Sequence, residues 1–201
     1  SGDGRTVITA AKRGVRAHGI EYNPDMVELS KRNAAQEGVG DKATFAKADL
    51  YESDFSQASV ITMFLLPGIN LKLRPKILDL KPGTRIVSNS FTMGDWSPDE
   101  TFTITEDCTT WCTALLWIVP AKVAGHWRLA DGELTLTQTF QQFTGTVKTG
   151  SNVSVIKNGK LNGDEISFNA GETDYTGRIS GDTITGVSKS GANWKATRTR
   201  P

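Results

Sequence analysis

The residues best suited to chemistry in this sequence lie at its start, where a glycine turn is followed by a carboxylate about 20 residues later. The turn is SGDGR, residues 1–5, and it opens a helical pattern over residues 6–13. A strand-like run, residues 15–20, then ends at Glu21. Parallel α/β folds bind a ribose with this order of elements, because glycines let the backbone approach the ligand and a carboxylate accepts hydrogen bonds from ribose hydroxyls. We therefore expect a nucleoside-binding site at the start of the chain.

Composition and charge describe an ordinary globular protein. The 201 residues are 37% hydrophobic and 22% charged, with a formal net charge of +1. A chain of this length forms one large domain or two modest ones. The small net charge provides no global field for nucleic acid or an anionic membrane, although a local basic patch is compatible with it. No apolar run approaches the roughly 18 residues of a membrane span, and the sequence leaves cellular location open while favouring the cytoplasm.

The two cysteines do not indicate a metal site. Cys108 and Cys112 are four residues apart and are either two ordinary thiols or a local disulfide. A structural zinc ion needs four ligands, and the two histidines, His18 and His126, lie in unrelated contexts. We therefore expect no metal.

The character of the chain changes near residue 120. Six of the seven prolines lie at or before Pro120, whereas the chain from Val123 onward is rich in Thr, Gly and Ser with short alternating runs. This is a change from a pattern typical of α/β folds to one typical of all-β folds. We predict two domains, residues 1–122 and 123–201.

In the first domain, strand and helix patterns alternate. Helices are predicted at residues 6–13, 23–38 and 71–80, and strands at residues 15–21, 43–49, 59–66, 84–91, 101–105 and 114–119. Such repetition predicts a doubly wound α/β sheet of the Rossmann type, with ligands at the carboxyl ends of the strands.

The second domain reads as a series of hairpins. Residues 159–167 recur with an offset of 18 as residues 177–185, and Asn162-Gly163 is a strong signal for a tight turn between strands. We predict a small antiparallel meander or barrel with Trp127 and Trp194 in its core, because a module of this size must protect its strand edges.

Three motifs together resemble the class I S-adenosylmethionine-dependent methyltransferases. They are SGDGR at residues 1–5, GIEYNP at residues 19–24 and ADL at residues 48–50, each placed at the end of a predicted strand. Further motifs at residues 62–67, 80–88 and 93–96 make the chain similar to the protein-lysine methyltransferase family typified by the enzyme that modifies the c ring protein of ATP synthase, and to its bacterial relatives. The resemblance covers about half of the chain and does not extend to the second domain.

The resemblance implies roles for the glycine turn and the first strand end, with S-adenosylmethionine as cofactor. Gly2 and Gly4 would let the loop pass close to the methionine part of the cofactor. Asp3 would meet its amino group, directly or through water. Glu21 would hold the ribose hydroxyls.

The next strand end would complete the nucleoside site. Tyr22 would pack near the adenine, Asp49 would accept a hydrogen bond from its exocyclic amine, and Leu50 would wall the ring. These roles agree with the chemistry of the ligand, since an adenosine cofactor needs a ribose acceptor and an amine acceptor on adjacent strand ends.

On the substrate side, Phe64, Leu65 and Pro67 would form the floor where the methyl donor meets the acceptor. Trp96 is either a substrate-side wall or a packing corner. The sulfonium is already activated, so alignment and desolvation supply most of the catalysis and no general base is assigned. The Pro-Pro-Tyr type of motif found in adenine methyltransferases is absent, which disfavours nucleic-acid bases. The acceptor expected from the resemblance is a protein lysine, with a small molecule or lipid as the alternative.

The resemblance also implies a strand ahead of the glycine turn. We expect further residues before Ser1 that complete this strand and contribute to cofactor affinity, because a parallel sheet without a central strand would expose unpaired backbone.

Two other classes of function stay open. In a non-enzymatic binding or scaffold protein, the hairpin domain would contact a partner. A nicotinamide-dependent oxidoreductase would share the ribose carboxylate, but the carboxylate of Asp3 would repel a pyrophosphate.

Overall fold

The computed structural model describes residues 1–199, and in this range it contains three helices and fourteen strands. The helices are α1 (Arg5–Lys12), α2 (Pro24–Gln36) and α3 (Pro67–Leu78). The strands are β1 (Ala17–Glu21), β2 (Ala43–Lys47), β3 (Val60–Met63), β4 (Arg85–Asn89), β5 (Glu100–Thr103), β6 (Thr113–Ile118), β7 (Gly125–Arg128), β8 (Gly132–Thr139), β9 (Gln142–Thr149), β10 (Asn152–Asn162), β11 (Glu165–Ala170), β12 (Thr173–Ser180), β13 (Thr183–Ser188) and β14 (Asn193–Arg198). Within residues 1–199 no helix combines the length and apolar character needed to cross a membrane.

The chain divides into two compact units, Ser1–Gln57 and Ala58–Pro201. The division does not fall where the composition changes, because the second unit contains the rest of the α/β elements together with all the hairpins. The first strand of the hairpin region, β7, begins at Gly125, close to the predicted boundary between residues 122 and 123. That boundary stays a prediction about sequence domains.

The first unit is a strand–helix–strand arrangement preceded by α1. Asn23 begins α2 by accepting a hydrogen bond from the backbone N–H of Asp25 at 2.9 Å, and Pro24 occupies the first turn, where its missing N–H has no cost. β1 and β2 pair in parallel, from Ala17 opposite Ala43 to Glu21 opposite Lys47. The buried core of this unit consists of Ile8, Ala11, Val27, Ala34, Ala43 and Phe45.

The second unit contains a four-stranded sheet in the order β3-β4-β6-β5. β3 and β4 are parallel and are connected through α3, whereas β6 runs antiparallel to both of its neighbours. The α/β organisation and the parallel strand pairs of the prediction are confirmed. The predicted start of α3 at Leu71 is wrong: the helix begins at Pro67, since a proline without an N–H suits the first helical turn as well as it suits a loop.

Eight strands of the second unit, β7 to β14, close into an antiparallel barrel, which decides between the predicted meander and barrel. Trp127 lies fully buried in the barrel and donates its indole N–H to the carbonyl of Val123 at 2.8 Å. Trp194 packs against the same core, with its ring 5.8 Å from that of Phe168. The repeat with an offset of 18 corresponds to the hairpins β10–β11 and β12–β13, which turn at residues 163–164 and 181–182.

A buried hydrogen-bond network joins the barrel to the four-stranded sheet. The indole of Trp96 donates to the side-chain carbonyl of Gln141 at 2.9 Å, and the amide of Gln141 donates to the backbone carbonyl of Ser97 at 2.8 Å. The indole of Trp117, in β6, donates to the carbonyl of Trp96 at 2.8 Å. The ring of Trp96 also stacks on Phe140. Barrel and sheet are therefore joined by a buried contact, in keeping with their membership of a single unit.

We expect Gln141→Ala to destabilise the second unit by about 1 to 3 kcal/mol, because the buried indole N–H of Trp96 loses its acceptor. All five tryptophans belong to this unit, so urea unfolding followed by tryptophan fluorescence reports on it alone. The neighbouring exposed residue gives the matched control, Gln142→Ala. Equal midpoints for the two variants would contradict the role assigned to Gln141.

Candidate functional site

The glycine loop, residues 1–5, lies directly on an aromatic ring of β2. Gly4 has a φ of 85°, and a Cβ atom at this position would be 2.9 Å from the ring of Phe45 and 3.0 Å from Cβ of Ser30. A Cβ on Gly19, in β1, would lie 2.6 Å from the same ring. Only glycine fits both positions, so the backbone of the loop is packed tightly against the strands.

Helix α2 holds the carbonyl groups of this loop. Ser30, which is fully buried, donates its hydroxyl to the carbonyl of Gly2 at 2.8 Å, and Asn33 donates its amide to the carbonyl of Asp3 at 2.9 Å. Sequence reasoning did not single out these two residues. The available signal was a pair of polar side chains, three residues apart, on a helix face that also carries the core residue Val27.

The carboxylate of Glu21, at the carboxyl end of β1, accepts hydrogen bonds from three backbone nitrogens. Its Oε2 accepts hydrogen bonds from the amino group of Ser1 and from the N–H of Gly2, both at 2.8 Å, and its Oε1 accepts from the N–H of Asn23 at 3.0 Å. A carboxylate offers about four acceptor positions. One position on Oε1 is therefore available to a ligand hydroxyl without displacing any of these groups, while a second hydroxyl would compete with Ser1.

The same contacts determine the electrostatics of this carboxylate. Partial burial alone would raise the pKa of Glu21, but the hydrogen bonds donated by the backbone nitrogens of Asn23, Ser1 and Gly2 lower it from 4.5 to about 2. Glu21 is therefore ionised at neutral pH and is a strong acceptor.

The carboxylate of Asp3 forms an ion pair with a neighbouring arginine. The guanidinium of Arg5 donates to both carboxylate oxygens, with Nη2 at 2.7 Å from Oδ2, and these hydrogen bonds lower the pKa of Asp3. The side chain of Arg5 is 83% exposed. Solvent screens exposed pairs of this kind, which contribute little to stability, so a ligand ammonium group can replace Arg5 on Asp3 at little cost.

The end of β2 lies beside the end of β1. The N–H of Ala48 donates to the carbonyl of Glu21 at 3.0 Å, which continues the pairing of the two strands. Asp49 follows directly, and its Oδ1 accepts from the N–H of Tyr51 at 2.8 Å. Within the described residues its Oδ2 accepts no hydrogen bond. Leu50 is half-buried, whereas Tyr22 is 76% exposed. The structure thus brings the glycine loop, Glu21 and Asp49 to one edge of the first unit.

The residues predicted for the substrate side all belong to the second unit. Phe64 is 56% exposed and directly follows β3, Leu65 is half-buried, and Pro67 begins α3. Trp96 is fully buried in the junction between the sheet and the barrel and has no exposed surface that could touch a substrate. Its geometry matches the packing corner that the sequence left open, so it does not enter the proposal below.

Comparison with known proteins is consistent with the motifs at the start of the chain. Residues 1–100 match a family model described as the ANTKMT methyltransferase domain. The chain is 40% identical over 121 residues to a protein-lysine N-methyltransferase of Saccharolobus islandicus, covering 59% of this chain and 74% of that protein. It is 41% identical over 100 residues to a human lysine N-methyltransferase named for the C subunit of ATP synthase, with coverage of 49% of this chain and 43% of that protein. The chain thus spans less than half of the human relative.

A solved structure adds a bound ligand to this comparison. The crystal structure of an RNA methyltransferase from Salinibacter ruber in complex with S-adenosyl-L-homocysteine superposes with a TM-score of 0.56 at 44% sequence identity. It covers 61% of this chain and 78% of that one. S-adenosylhomocysteine is the demethylated form of the cofactor that the motifs predicted.

We expect Gly4→Ala to destabilise the first unit more than Gly14→Ala does. Both positions have a positive φ, near 85° and 89°, but a Cβ on Gly14 meets nothing within 4 Å. The left-handed conformation costs each variant about 1 to 2 kcal/mol, and overpacking against Phe45 adds about 1 to 3 kcal/mol for Gly4→Ala only. Amide hydrogen exchange over residues 1–57 measures the difference. Equal protection in the two variants would show that the ring yields to the added methyl group.

The lowered pKa of Glu21 predicts acid sensitivity of the first unit. A carboxylate whose folded pKa is about 2, below its ordinary 4.5, stabilises the fold fully above pH 4.5, and this contribution is lost as the pH falls towards 2. We expect the stability advantage of the wild type over Glu21→Gln to shrink over that interval. Urea unfolding followed through NMR amide signals of residues 1–57 measures it. Glu52→Gln, which changes an exposed carboxylate of the same unit, is the control, and an advantage that is independent of pH would refute the assignment.

The motifs, the fold of the α/β elements and the similarity to proteins from archaea, bacteria and mammals agree with one another. The predicted methyltransferase family and its cofactor, S-adenosylmethionine, are confirmed by these comparisons. The chain belongs to the S-adenosylmethionine-dependent methyltransferases of the ANTKMT methyltransferase domain family.

Proposed function

We propose that this protein transfers the methyl group of S-adenosylmethionine to the side-chain nitrogen of a protein lysine. The observation that carries the proposal is the position of two carboxylates, Glu21 and Asp49, at the ends of adjacent parallel strands beside a tightly packed glycine loop. This is the arrangement that an adenosine ligand requires, since its ribose and its adenine amine both need acceptors.

Each candidate residue has a role that its environment supports. Glu21 accepts a ribose hydroxyl at its unfilled Oε1 position, and Asp49 accepts the adenine amine at Oδ2. Gly2 and Gly4 let the backbone approach the methionine part, and Asp3 receives its ammonium group in place of Arg5. Leu50 and Tyr22, which are half-buried and exposed, offer apolar surface to the adenine ring.

The cofactor supplies a methyl group on a positively charged sulfur, which needs no further activation. The protein must therefore orient the lysine and exclude water from it. The lone pair of the uncharged amine forms the new N–C bond, the bond between that carbon and sulfur breaks with its electrons staying on sulfur, and the proton of the product ammonium passes to solvent.

Protein lysine is favoured as the acceptor by the names of the relatives. Both the archaeal relative, 40% identical, and the human relative, 41% identical, are lysine N-methyltransferases. RNA is the second candidate, because the solved neighbour at 44% identity is described as an RNA methyltransferase. The formal net charge of +1 gives this chain little of the basic character that phosphate backbones attract.

We expect the protein, incubated with a cell extract and deuterated S-adenosylmethionine, to add one to three labelled methyl groups to lysine residues, as detected by mass spectrometry of peptides. Glu21→Gln should lose most of this activity and bind S-adenosylhomocysteine about 10- to 100-fold more weakly, because a hydrogen bond to a charged group contributes about 1.5 to 3 kcal/mol. Glu28→Gln should match the wild type in both measurements.

Treatment of the labelled extract with protease or ribonuclease decides between the acceptors. If the label disappears with ribonuclease and resists protease, the methyl acceptor is RNA and not a protein lysine. Label in an organic-solvent fraction would indicate a lipid or small molecule. If no labelled product forms although S-adenosylhomocysteine binds normally in calorimetry, the protein acts as a cofactor-binding scaffold and not as an enzyme.

A further inference from the structure

Three aromatic rings meet at one edge of the four-stranded sheet. Phe64 directly follows β3, Phe91 lies two residues after β4, and Trp111 lies two residues before β6, which is antiparallel to β4. All three therefore stand at the carboxyl end of the parallel strands. The ring centroids are 5.5 Å apart for Phe64 and Phe91, 5.4 Å for Phe64 and Trp111, and 5.1 Å for Phe91 and Trp111. We call this group the aromatic cluster.

The aromatic cluster leaves much of its surface in water. Phe64 is 56% exposed and Trp111 is 54% exposed, while Phe91 is half-buried between them. Large side chains in mutual contact are normally buried, because each gains transfer free energy from leaving water. A contiguous exposed group of this kind typically marks a binding surface.

The backbone that presents the aromatic cluster is strained and firmly anchored. Trp111 and Ser90 have φ values of 58° and 60°, in the left-handed region that side chains other than glycine rarely adopt. The sequence allowed either two free thiols or a local disulfide. The structure contains the disulfide Cys108–Cys112, which closes the loop around Trp111. Strained backbone conformations that are held in place by such restraints are common at functional sites.

Hydrogen bonds fix the same loop to the sheet. The N–H of Ile104 donates to the carbonyl of Cys112 at 2.9 Å, and the N–H of Ser90 donates to the carbonyl of Thr113 at 2.8 Å. The position of Trp111 relative to β4 and β6 is therefore set by covalent and backbone restraints on both sides of it.

The loop that carries Trp111 is acidic, and this favours a cation over an anion as the ligand of the aromatic cluster. The segment from Ile104 to Cys112 carries two exposed carboxylates, Glu106 and Asp107, and no basic residue. Aromatic faces attract ammonium groups, and quaternary ammonium groups most of all, because these are only weakly hydrated. A nucleic-acid phosphate would be repelled by the same two carboxylates.

We propose that the aromatic cluster binds the side chain of the acceptor lysine and of its methylated products. This assignment rests on the proposed function, and it adds the residues that recognise the acceptor. The methylene groups of the lysine lie along the rings, while the ammonium group faces the ring surfaces and the two carboxylates. Trp111 lies beyond residues 1–100, the segment matched by the family model, so this chain supplies part of the surface from outside that segment.

The test uses small probes, so that it requires neither the natural acceptor nor the cofactor. Nα-acetyl-lysine N-methylamide, its Nε-trimethyl form and a neutral analogue with carbon in place of the quaternary nitrogen are titrated into the full chain. Binding is followed through the NMR amide shifts of Thr113 and Ala114. We expect the trimethyl form to bind about tenfold more tightly than the neutral analogue, which is the size of a cation–π preference at a partly exposed site.

Substitutions assign the effect to the aromatic cluster. Trp111→Ala and Phe64→Ala should each weaken binding of the trimethyl probe about tenfold, and Trp111→Phe should retain most of it. Phe102→Ala is the matched control, since Phe102 is also 56% exposed but lies on β5, outside the cluster. An unchanged urea midpoint of the tryptophan fluorescence, which reports on the second unit, shows that the variants are folded.

Three results would overturn the inference: equal affinity of Trp111→Ala and the wild type, equal affinity of the neutral and trimethyl probes, or tighter binding of adenosine monophosphate at the same amides. The outcome is separable from that of the proposed function. A protein that binds the probes but methylates no lysine contradicts the proposed function. One that methylates lysine but ignores the probes contradicts only the assignment of the aromatic cluster.

Discussion

The ring of Phe45 is the support on which the candidate cofactor site is built. Gly4 and Gly19 both leave room for this ring, so the loop and β1 lie close to β2 with no side chain between them. Once the loop is held at this distance, its carbonyls reach Ser30 and Asn33 on α2, and its N–H groups reach Glu21. Glu21, the proposed ribose acceptor, therefore also holds the loop, and this would couple cofactor binding to local stability.

A second constraint organises the larger unit. The side-chain carbonyl of Gln141 accepts a hydrogen bond from the buried indole of Trp96, and the amide of Gln141 donates to the backbone carbonyl of Ser97. The barrel thereby becomes part of the support for the four-stranded sheet, whose strand ends carry the aromatic cluster. This explains in physical terms why a module outside the segment matched by the family model can matter for a surface that includes Phe64.

Sequence patterns predicted the local elements well and the supporting contacts poorly. The cap at Asn23 and the alternation of apolar residues placed β1, α2 and β2 within a few residues of their observed ends. The start of α3 was missed because Pro67-Gly68 is typical of a turn as well as of a first helical turn. Ser30 and Asn33 were missed because a polar residue on a helix is usually solvated, and only a loop distant in sequence makes them partners.

The sequence by itself determined the order of strands and helices, the positions of Glu21 and Asp49 at adjacent strand ends, and the alternation that makes hairpins after residue 123. These features depend on residues near one another in the chain, where propensity and spacing act directly. The tertiary structure decided three further features. They are the closure of the barrel, its connection to the sheet through Trp96, and the contact among Phe64, Phe91 and Trp111. They depend on strand register and packing between distant segments, which no local pattern encodes.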